Sequence, residues 1–479
     1  MTTLTIQAAS GRGGRTRKMV RGLSLLLAAL MLPLSACSDL LTVNDPDIVT
    51  PNNLNDPSVL PTIRAGAIGD WDLAYSGSGA SGSGGIEGVI MIGGLLGDEW
   101  VNSETFPTRI EVDARRIAVN NATMQDVFRN VMRAQRATKV AATNYETLLA
   151  DPTTDPGYGE MLALNGFVYV FLGENYCSGV PVSQANADGS LVYGDPLTSV
   201  QLYDTALVRF DAAVAATSSS SIQNLANIGK ARAQLDLGQF AAAATTVGAV
   251  ATSFNYTVQH DENTARQNNG VFNANVINER YSVADQEGVN GFSYRSVVDP
   301  RTPFVRTPSN DVGFDGATPQ YDNLRYGDRK ASVTVATGAE ARLIEAEAAL
   351  QAGDTLAGGG FLAALNVLRA DPPSYLNSTR LGVPAVDPMA DLTTADITAA
   401  GGAVNLLFGE RARWLWLTAH RLSDLRRLIR QYGRPTESVF PTGPYFKIQF
   451  PTYGTDVNFP VPVDEENNPN FTQCIDRNP

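Results

Sequence analysis

The stretch from Gly409 to Gln431, GERARWLWLTAHRLSDLRRLIRQ, decides how the whole chain is interpreted. It has no proline, and no glycine after its first residue, so it predicts one continuous helix within residues 404–431. Apolar or small side chains recur at spacings of three, four or seven and form one stripe: Leu407, Trp414, Thr418, Leu422, Leu425 and Ile429. Because such a stripe must be buried against other elements, we expect a closing helix that packs on helices earlier in the chain.

A second face of the same helix carries charges. Glu410 and Asp424 each have an arginine three residues onward, Arg413 and Arg427, which predicts local ion pairs. His420 lies four residues before Asp424, and such a pair could serve as an acid–base or metal-binding unit. One histidine on an arginine-rich face is more typical of a structural network, which is the interpretation adopted.

These residues resemble the late helix of the SusD/RagB family, whose pattern is E-R-x-R-E, then E-G-H-R-x-x-D-L-R-R. The matching positions are Glu410, Arg411, Arg413, His420, Arg421, Asp424, Leu425, Arg426 and Arg427. Trp414 stands where the family usually has Glu, and Thr418–Ala419 replace Glu–Gly. The resemblance implies a fold and a binding role, and these residues look structural in the family.

Composition excludes some classes of protein. The chain has 479 residues, 43% apolar and 18% charged, which is typical of a folded protein. Its net charge is −13, so binding of nucleic acid through phosphate contacts is not expected. The first 36 residues hold five basic side chains and no acidic one, so their removal would leave a more acidic protein.

The N-terminus predicts export and a lipid anchor. Residues 1–36 have a basic start and a short apolar run, as in a signal peptide. Leu34-Ser35-Ala36-Cys37 resembles a bacterial lipobox, in which Cys37 is lipidated and becomes the mature N-terminus. Residues 37–61 are then a tether that docks on a single body of residues 62–479, and the lipid is the only membrane attachment.

Helical pairs predict the architecture of that body. Helices are expected over Val112–Leu149, Gly159–Tyr176 and Ser199–Ala216. Two segments share the pattern Ala-x-x-x-Leu-x-x-Gly, at 231–238 and 346–353, and each precedes a further helical stretch. Two helices joined by such a glycine turn are typical of tetratricopeptide-type helix pairs. The predicted fold is mainly α, a tetratricopeptide-like helical-repeat scaffold with long irregular insertions and few short strands.

An irregular insertion at about 254–335 is the predicted binding region. It is rich in Phe, Tyr and Asn, with short strands expected at Phe292–Val298 and Phe304–Thr307. Aromatic faces and amide groups suit sugars, although the same rings could equally pack the insertion onto the scaffold. The candidate ligand-binding residues, within the insertion and before it, are Trp71, Trp100, Tyr281, Phe292, Tyr294 and Tyr321.

The catalytic inventory is small. The two histidines, His260 and His420, have no metal-ligand partners at a fixed spacing, so neither a metal nor another cofactor is predicted. Cys177 and Cys474 lie in Gly-, Pro- and Asn-rich segments and are expected to form a disulfide that fixes the tail 432–479, with two separate buried thiols as the alternative.

Taken together, the resemblance implies a non-enzymatic outer-membrane lipoprotein that faces the cell exterior. It would bind a glycan, or a peptide, and deliver it to a SusC-like TonB-dependent transporter. Two rivals remain open: a lipid-anchored repeat adaptor without a ligand, and a surface glycoside hydrolase whose paired carboxylates need no linear motif.

Overall fold

The computed structural model describes residues 55–80, 87–186, 190–306 and 311–479. The predicted signal peptide, Cys37 and most of the predicted tether lie outside these described residues. Residues Asn52–Pro479 form one compact unit. In the described ranges, no helix combines the length and the apolar character needed to cross a membrane.

Helices dominate the described part of the chain, as predicted. They are α1 (Leu60–Ser76), α2 (Val89–Gly97), α3 (Pro107–Asp113), α4 (Ala122–Leu148), α5 (Pro156–Asn175), α6 (Ser199–Ala215), α7 (Ser220–Asp236), α8 (Phe240–Val247), α9 (Gly270–Phe272), α10 (Gly338–Gln351), α11 (Gly360–Ala370), α12 (Thr394–Ala399), α13 (Ala403–Trp414) and α14 (Arg421–Arg430). The predicted helical-repeat class is therefore confirmed.

Successive helices pack on one another in a continuous series. Helix α4 packs on α1 and α5, α5 on α6, α6 on α7, α7 on α8, α8 on α10, and α10 on α11. The two repeated patterns end where expected: Gly238 (φ +73°) turns α7 into α8, and Gly353 (φ +78°) follows α10 before α11. Glycine adopts this left-handed conformation without the steric cost that other residues meet.

The strands are short and form two-stranded antiparallel sheets. They are β1 (Trp100–Asn102), β2 (Val180–Pro181), β3 (Gln184–Ala185), β4 (Leu191–Val192), β5 (Pro196–Leu197), β6 (Asn255–Val258), β7 (Tyr281–Val283), β8 (Phe304–Arg306), β9 (Tyr321–Asn323) and β10 (Val333–Thr337). The pairs are β1–β7, β2–β5, β3–β4, β6–β10 and β8–β9. In β1–β7, Trp100 lies opposite Val283 and Asn102 opposite Tyr281, which joins the insertion to the scaffold.

One predicted strand is confirmed and the other is wrong. Phe304–Arg306 is β8, with Thr307 outside the described residues. Phe292–Val298 is a series of bends, because the backbone N–H groups of Arg295 and Ser296 both donate to Asp285 Oδ1, at 2.9 Å each. A side chain thus takes the place of a partner strand.

The prediction of one closing helix is wrong, since α13 ends at Trp414 and α14 begins at Arg421. Leu417 (φ +57°) and Ala419 (φ +60°) are left-handed in the turn between them. Buried side chains satisfy the backbone groups that the turn releases: Tyr326 donates to the carbonyl of Leu417 (3.0 Å), Tyr75 to that of Thr418 (3.1 Å), and Arg232 to that of Ala419 (2.8 Å). Tertiary partners therefore replace the helical hydrogen bonds.

The charged face forms a structural network, as the sequence indicated, but some of its ion pairs differ from the predicted ones. His420 Nε2 lies 2.9 Å from Glu340 Oε1 rather than beside Asp424. Asp424 is bonded to Arg427, as predicted, at 2.8 Å, and also to Arg411 at 2.9 Å. Glu410 contacts Arg301 at 2.6 Å instead of Arg413.

The predicted helix over Val112–Leu149 is also two helices, because Asp113 ends α3 and Asn121 caps α4. Arg115 (φ +58°) lies in the break. Its guanidinium donates to the carbonyls of Pro441 (2.7 Å) and Asp456 (2.9 Å) in the tail. The break thus anchors a distant segment.

Cys177 and Cys474, paired in the sequence prediction, are bonded in the structure with their Cα atoms 6.0 Å apart. The same junction contains hydrogen bonds from Phe459 N to Asn175 O (2.8 Å) and from Ile475 N to Ser178 O (2.8 Å). The C-terminal tail is therefore attached covalently and by backbone pairing to the end of α5.

Candidate functional site

Four of the six predicted ligand-binding residues are core residues. Trp71, Trp100 and Tyr281 are 0% exposed and Tyr294 is 1% exposed. Trp71 Nε1 donates to the carbonyl of Leu164 at 2.9 Å, and the hydroxyl of Tyr281 lies 3.1 Å from Glu87 Oε1. The prediction is wrong for these four, because Trp71 packs inside the scaffold and the other three rings pack the insertion onto it, the alternative left open by the sequence.

The other two candidates are half-buried and each is covered by arginine. The guanidinium groups of Arg413 and Arg421 lie 4.7 and 5.3 Å from the ring centroid of Phe292. That of Arg295 lies 3.7 Å from the centroid of Tyr321. Neither ring presents a free face on its arginine side, so a ligand could not stack there without displacing an arginine.

Three exposed phenylalanines, absent from the sequence prediction, define a better candidate. Phe106 is 44% exposed, Phe314 53% and Phe446 48%. With Arg280 and Lys447 they form what we call the aromatic patch. A large apolar ring costs free energy when it faces water, so neighbouring exposed rings are typical of binding surfaces.

Arg280 holds two of these rings together. The centroids of Phe106 and Phe314 are 6.4 Å apart with an angle of 29° between the planes. The Arg280 guanidinium lies 5.0 Å from the first centroid and 5.1 Å from the second. These cation–π contacts fix the rings while their remaining surface stays in solvent.

Three separate parts of the chain supply the rings. Phe106 is the extended residue that precedes α3. Phe314 follows Gly313, where a Cβ would come within 2.3 Å of Ser103, so glycine lets this turn lie against the scaffold. The turn is held there by hydrogen bonds from Phe314 N to Glu279 O (2.9 Å) and from Asp315 N to Ser103 O (3.0 Å).

Phe446 comes from the segment 441–456, which we call the tail loop. Tyr445 and Tyr453 in this loop are buried against Ile110 and Ala114, at and just after α3, with Phe450 packed beside them. This small apolar cluster is separate from the main core. Helix α3 therefore positions Phe106 through its first turn and Phe446 through its packing surface.

Lys447 joins the tail loop to the insertion. Its ammonium group donates to Asn102 Oδ1 (2.7 Å), Glu104 O (2.5 Å) and Asp315 Oδ2 (2.8 Å). Burial raises the pKa of Asp315, but hydrogen bonds from Lys447 and Thr318 outweigh it and lower that pKa to about 2. Asp315 is therefore a carboxylate at neutral pH and accepts the hydrogen bond from the Lys447 ammonium group.

A cavity of about 450 Å³ opens beside this ion pair. Apolar and polar groups both line it, including Phe446, Ile448, Thr105, Thr318 and Gln449. Glu104, Thr105 and Asp315 line this cavity. Thr105 directly precedes Phe106 in the chain and Asp315 directly follows Phe314, so the cavity adjoins the aromatic patch.

The charges around the patch are balanced. Arg109 is paired with Glu87 and Glu104, Arg280 lies 3.5 Å from Glu104, and Lys447 is paired with Asp315. Burial raises the pKa of Glu104, and the attraction of Arg109 and Arg280 partly offsets this. Three cations thus face three acidic side chains, an arrangement that suits a neutral ligand better than a charged one.

One constellation elsewhere has the residue types of a nucleophilic triad. Ser76 Oγ lies 3.3 Å from His260 Nε2, and His260 Nδ1 lies 3.3 Å from Asp72 Oδ2. Ser76 is 0% exposed and donates directly to Asp72 at 2.7 Å. Burial lowers the pKa of His260 to about 4. With no exposed surface on the serine, this cluster caps the end of α1.

Within the described residues, no group of three or more His, Cys, Asp or Glu side chains could hold a metal ion.

The sequence did contain a signal for the missed rings. Phe314 stands between Gly313 and Asp315-Gly316, and Phe446 follows Pro444-Tyr445 in a Pro-rich tail. A lone ring among turn-forming residues has no periodic face on which to be buried. Exposure of such rings is therefore predictable in principle, whereas their convergence is not.

Comparisons with solved structures identify the fold. A SusD-like protein from Bacteroides fragilis aligns with 90% of this chain and 99% of its own, at 15% identity and a TM-score of 0.58. A SusD/RagB family protein from Bacteroides thetaiotaomicron aligns over 85% and 94%, at 12% identity and a TM-score of 0.60. A laminarin-binding SusD-like protein aligns over 88% and 99%, at 15% identity and a TM-score of 0.55.

The chain therefore has the SusD-like fold, and the resemblance inferred from its late helix is confirmed at the level of fold. No protein-family model matches the sequence, and no curated protein matches it.

The difference between core and patch rings is testable by stability. Tyr281→Ala should lower the free energy of unfolding by about 3–5 kcal/mol, because it empties a buried site. Phe314→Ala should change that free energy by no more than about 1 kcal/mol, since the ring is half in solvent. Urea unfolding of both variants measures this, and equal losses would mean that Phe314 belongs to the core.

Proposed function

We propose that this protein is a glycan-binding protein and that the aromatic patch is its binding site. The observation that carries the proposal is the exposed pair of Phe106 and Phe314, braced by Arg280, beside a cavity that Phe446 lines. Solved proteins of the same fold include ones described as carbohydrate-binding and as laminarin-binding. The fold and the surface thus support the same class of ligand.

The chemistry of sugars fits this surface. A pyranose ring has an apolar face of C–H groups that packs on an aromatic ring, and hydroxyl groups at its edge that need partners. The cavity supplies such partners through Thr105, Thr318 and Gln449. Because the cations of the patch are already neutralised, an uncharged glycan should be preferred to an acidic glycan or a charged peptide.

The proposed role ends with binding and release. The glycan is captured at the cell exterior by a lipid-anchored protein of the outer membrane and delivered unchanged to a SusC-like TonB-dependent transporter. Support for this part comes from the lipobox-like sequence at Cys37 and from the resemblance of the late helix. No bond of the glycan is broken, so incubation with the protein should leave the chain length of the glycan unaltered.

Cys37→Ser should release the protein from the membrane fraction, because the proposed lipid is attached through that thiol. Fractionation of cells that lack the transporter measures this, and the wild-type protein under the same conditions is the control. A variant that still sediments with membranes would contradict the anchor.

Affinity electrophoresis through gels containing neutral and acidic polysaccharides, with laminarin among the neutral ones, tests the binding site. Phe106→Ala, Phe314→Ala and Phe446→Ala should each weaken binding by about 1–3 kcal/mol through loss of a stacking contact. Tyr193→Ala is the matched control, since Tyr193 is 40% exposed but lies beside β4, outside the patch.

Unchanged retention of all three Phe variants, or equal weakening by Tyr193→Ala, would contradict the assignment of the site. Retention of the wild-type protein by the acidic polysaccharides alone would contradict the preference for a neutral glycan. Shortening of the polysaccharide would favour a hydrolase instead.

A further inference from the structure

The tail loop is attached at several points, and residues 113–116 at the end of α3 supply many of them, including hydrogen bonds from Arg116 to the carbonyls of Thr452 and Tyr453. Arg115 binds the carbonyls at its two ends, and Gly454 N donates to Ala114 O at 2.7 Å. Inside the loop, the rings of Tyr445 and Tyr453 lie edge to face with their centroids 5.1 Å apart. Both tyrosine hydroxyls point to a pair of buried carboxyl groups, Asp113 and Glu287.

These two acids come from different elements. Asp113 ends α3 and is 1% exposed, whereas Glu287 belongs to the insertion and is 5% exposed. Glu287 begins a turn that carries the tail loop, since Val289 N donates to Thr442 O at 3.1 Å and Asn290 Nδ2 donates to Phe440 O at 3.1 Å. The contact between the two acids therefore joins the scaffold, the insertion and the tail loop.

In each of the two acids, one carboxyl oxygen accepts hydrogen bonds and the other receives none from an N–H or hydroxyl donor. Asp113 Oδ2 accepts from Tyr445 (2.8 Å) and from Asn102 N (2.9 Å), and Glu287 Oε1 accepts from Tyr453 (2.8 Å). Asp113 Oδ1 and Glu287 Oε2 are buried and receive no N–H or hydroxyl donor. The remaining oxygen of each acid is the one available for a hydrogen bond between the two carboxyl groups, which lie within reach of each other. Two carboxylates cannot form such a bond unless one of them carries a proton.

We propose that Asp113 and Glu287 share one proton, and that this hydrogen bond positions the tail loop and with it Phe446 and Lys447. When the proton leaves, two negative charges meet in a buried site and repel each other. The turn at Glu287 then separates from α3, and the tail loop loses its fixed position. Asp113 and Glu287 are thus positioning residues, and the consequence for ligand binding rests on the proposed function.

The surrounding charges do not replace the proton. Lys447, the cation that acts on Asp113, is already paired with Asp315, and Arg115 is directed to the ends of the loop. Asp98, the other acid that faces Glu287, is neutralised by Arg421 at 2.5 Å. Burial raises the pKa of Asp113, and burial together with the charge of Asp113 raises the pKa of Glu287 well above its usual range.

The raised pKa values fix the direction in which pH changes the stability of the tail loop. A carboxyl group whose pKa is higher in the folded protein than in the unfolded chain stabilises the fold fully at pH values below its pKa in the unfolded chain, about 4.5. This contribution declines as the pH rises through the folded value. The tail loop should accordingly open more often under alkaline conditions.

Limited digestion with trypsin tests this without any ligand. Lys447 is the single Lys or Arg between residues 441 and 456, and its ammonium group is engaged by three oxygens, so cleavage after Lys447 requires the loop to open. The wild-type protein and Glu287→Gln are compared at about pH 6 and about pH 9, and the ratio of their rates removes the pH dependence of trypsin itself.

Glu287→Gln keeps the shape and can donate its amide to Asp113 at any pH. The two proteins should be cleaved at similar rates near pH 6, and the wild type at least about threefold faster near pH 9. Asp113→Asn should behave like Glu287→Gln and serves as the second variant if the first folds poorly. Glu437→Gln, which removes a charge near the same loop, should follow the wild type.

A wild-type to Glu287→Gln ratio that stays constant between the two pH values would overturn the shared proton. Failure of Glu287→Ala to raise cleavage near pH 6, where the wild-type hydrogen bond is intact, would overturn the positioning role. Both results are independent of glycan binding, so a negative polysaccharide screen would contradict the proposed function and leave this inference standing.

Discussion

The structure depends on arginine–carboxylate pairs that are buried around the break between α13 and α14. Four of these pairs are Arg421–Asp98 (2.5 Å), Arg232–Glu174 (2.6 Å), Arg427–Glu347 (2.6 Å) and Arg411–Asp424 (2.9 Å). A charge removed from water must be paired, and loss of one partner of a buried pair typically costs about 3–5 kcal/mol. Arg421 and Arg427 fix α14 against the end of α2 and against α10, Arg411 ties α13 to α14, and Arg232 ties α7 to the end of α5.

The same pairs explain why the closing segment is not one helix. A straight helix could not bring the guanidinium of Arg411 and that of Arg427 to Asp424 while Arg421 reaches Asp98. Burial raises the pKa of Asp424, but the two arginines outweigh it and hold that pKa well below its usual range. The left-handed residues of the turn are the conformational cost of this arrangement, and it is offset by the side chains that satisfy the turn.

A rigid scaffold gives the irregular segments a division of labour. Rings such as Tyr281 and Tyr294 fill the space between the insertion and the helices, and so make the insertion a fixed part of the body. Phe106, Phe314 and Phe446 can then remain half in solvent, because α3, Arg280 and Lys447 hold their backbones and faces. A binding surface whose rings are fixed in advance loses less conformational entropy when a ligand arrives.

Sequence patterns predicted whatever depends on local periodicity. The helical pairs, the turns at Gly238 and Gly353 and the scaffold class follow from spacing alone. The break after Trp414 was not predicted, because the residues that cause it are far away in the chain. Asp98 pairs with Arg421, Glu99 accepts a hydrogen bond from Leu417 N, and Tyr326 donates one to the carbonyl of Leu417. The candidate site could not be predicted for the same reason. In a segment without periodicity, tertiary packing decides which aromatic side chains are buried, and it places Tyr281 inside and Phe314 outside.

A crystal structure of the protein with the neutral oligosaccharide that the polysaccharide screen selects would test the binding site most directly. A sugar ring should pack on Phe106, Phe314 or Phe446, with its hydroxyl groups directed toward Thr105, Thr318 or Gln449. An oligosaccharide seated between the repeat helices, with the aromatic patch empty, would contradict this assignment of the site.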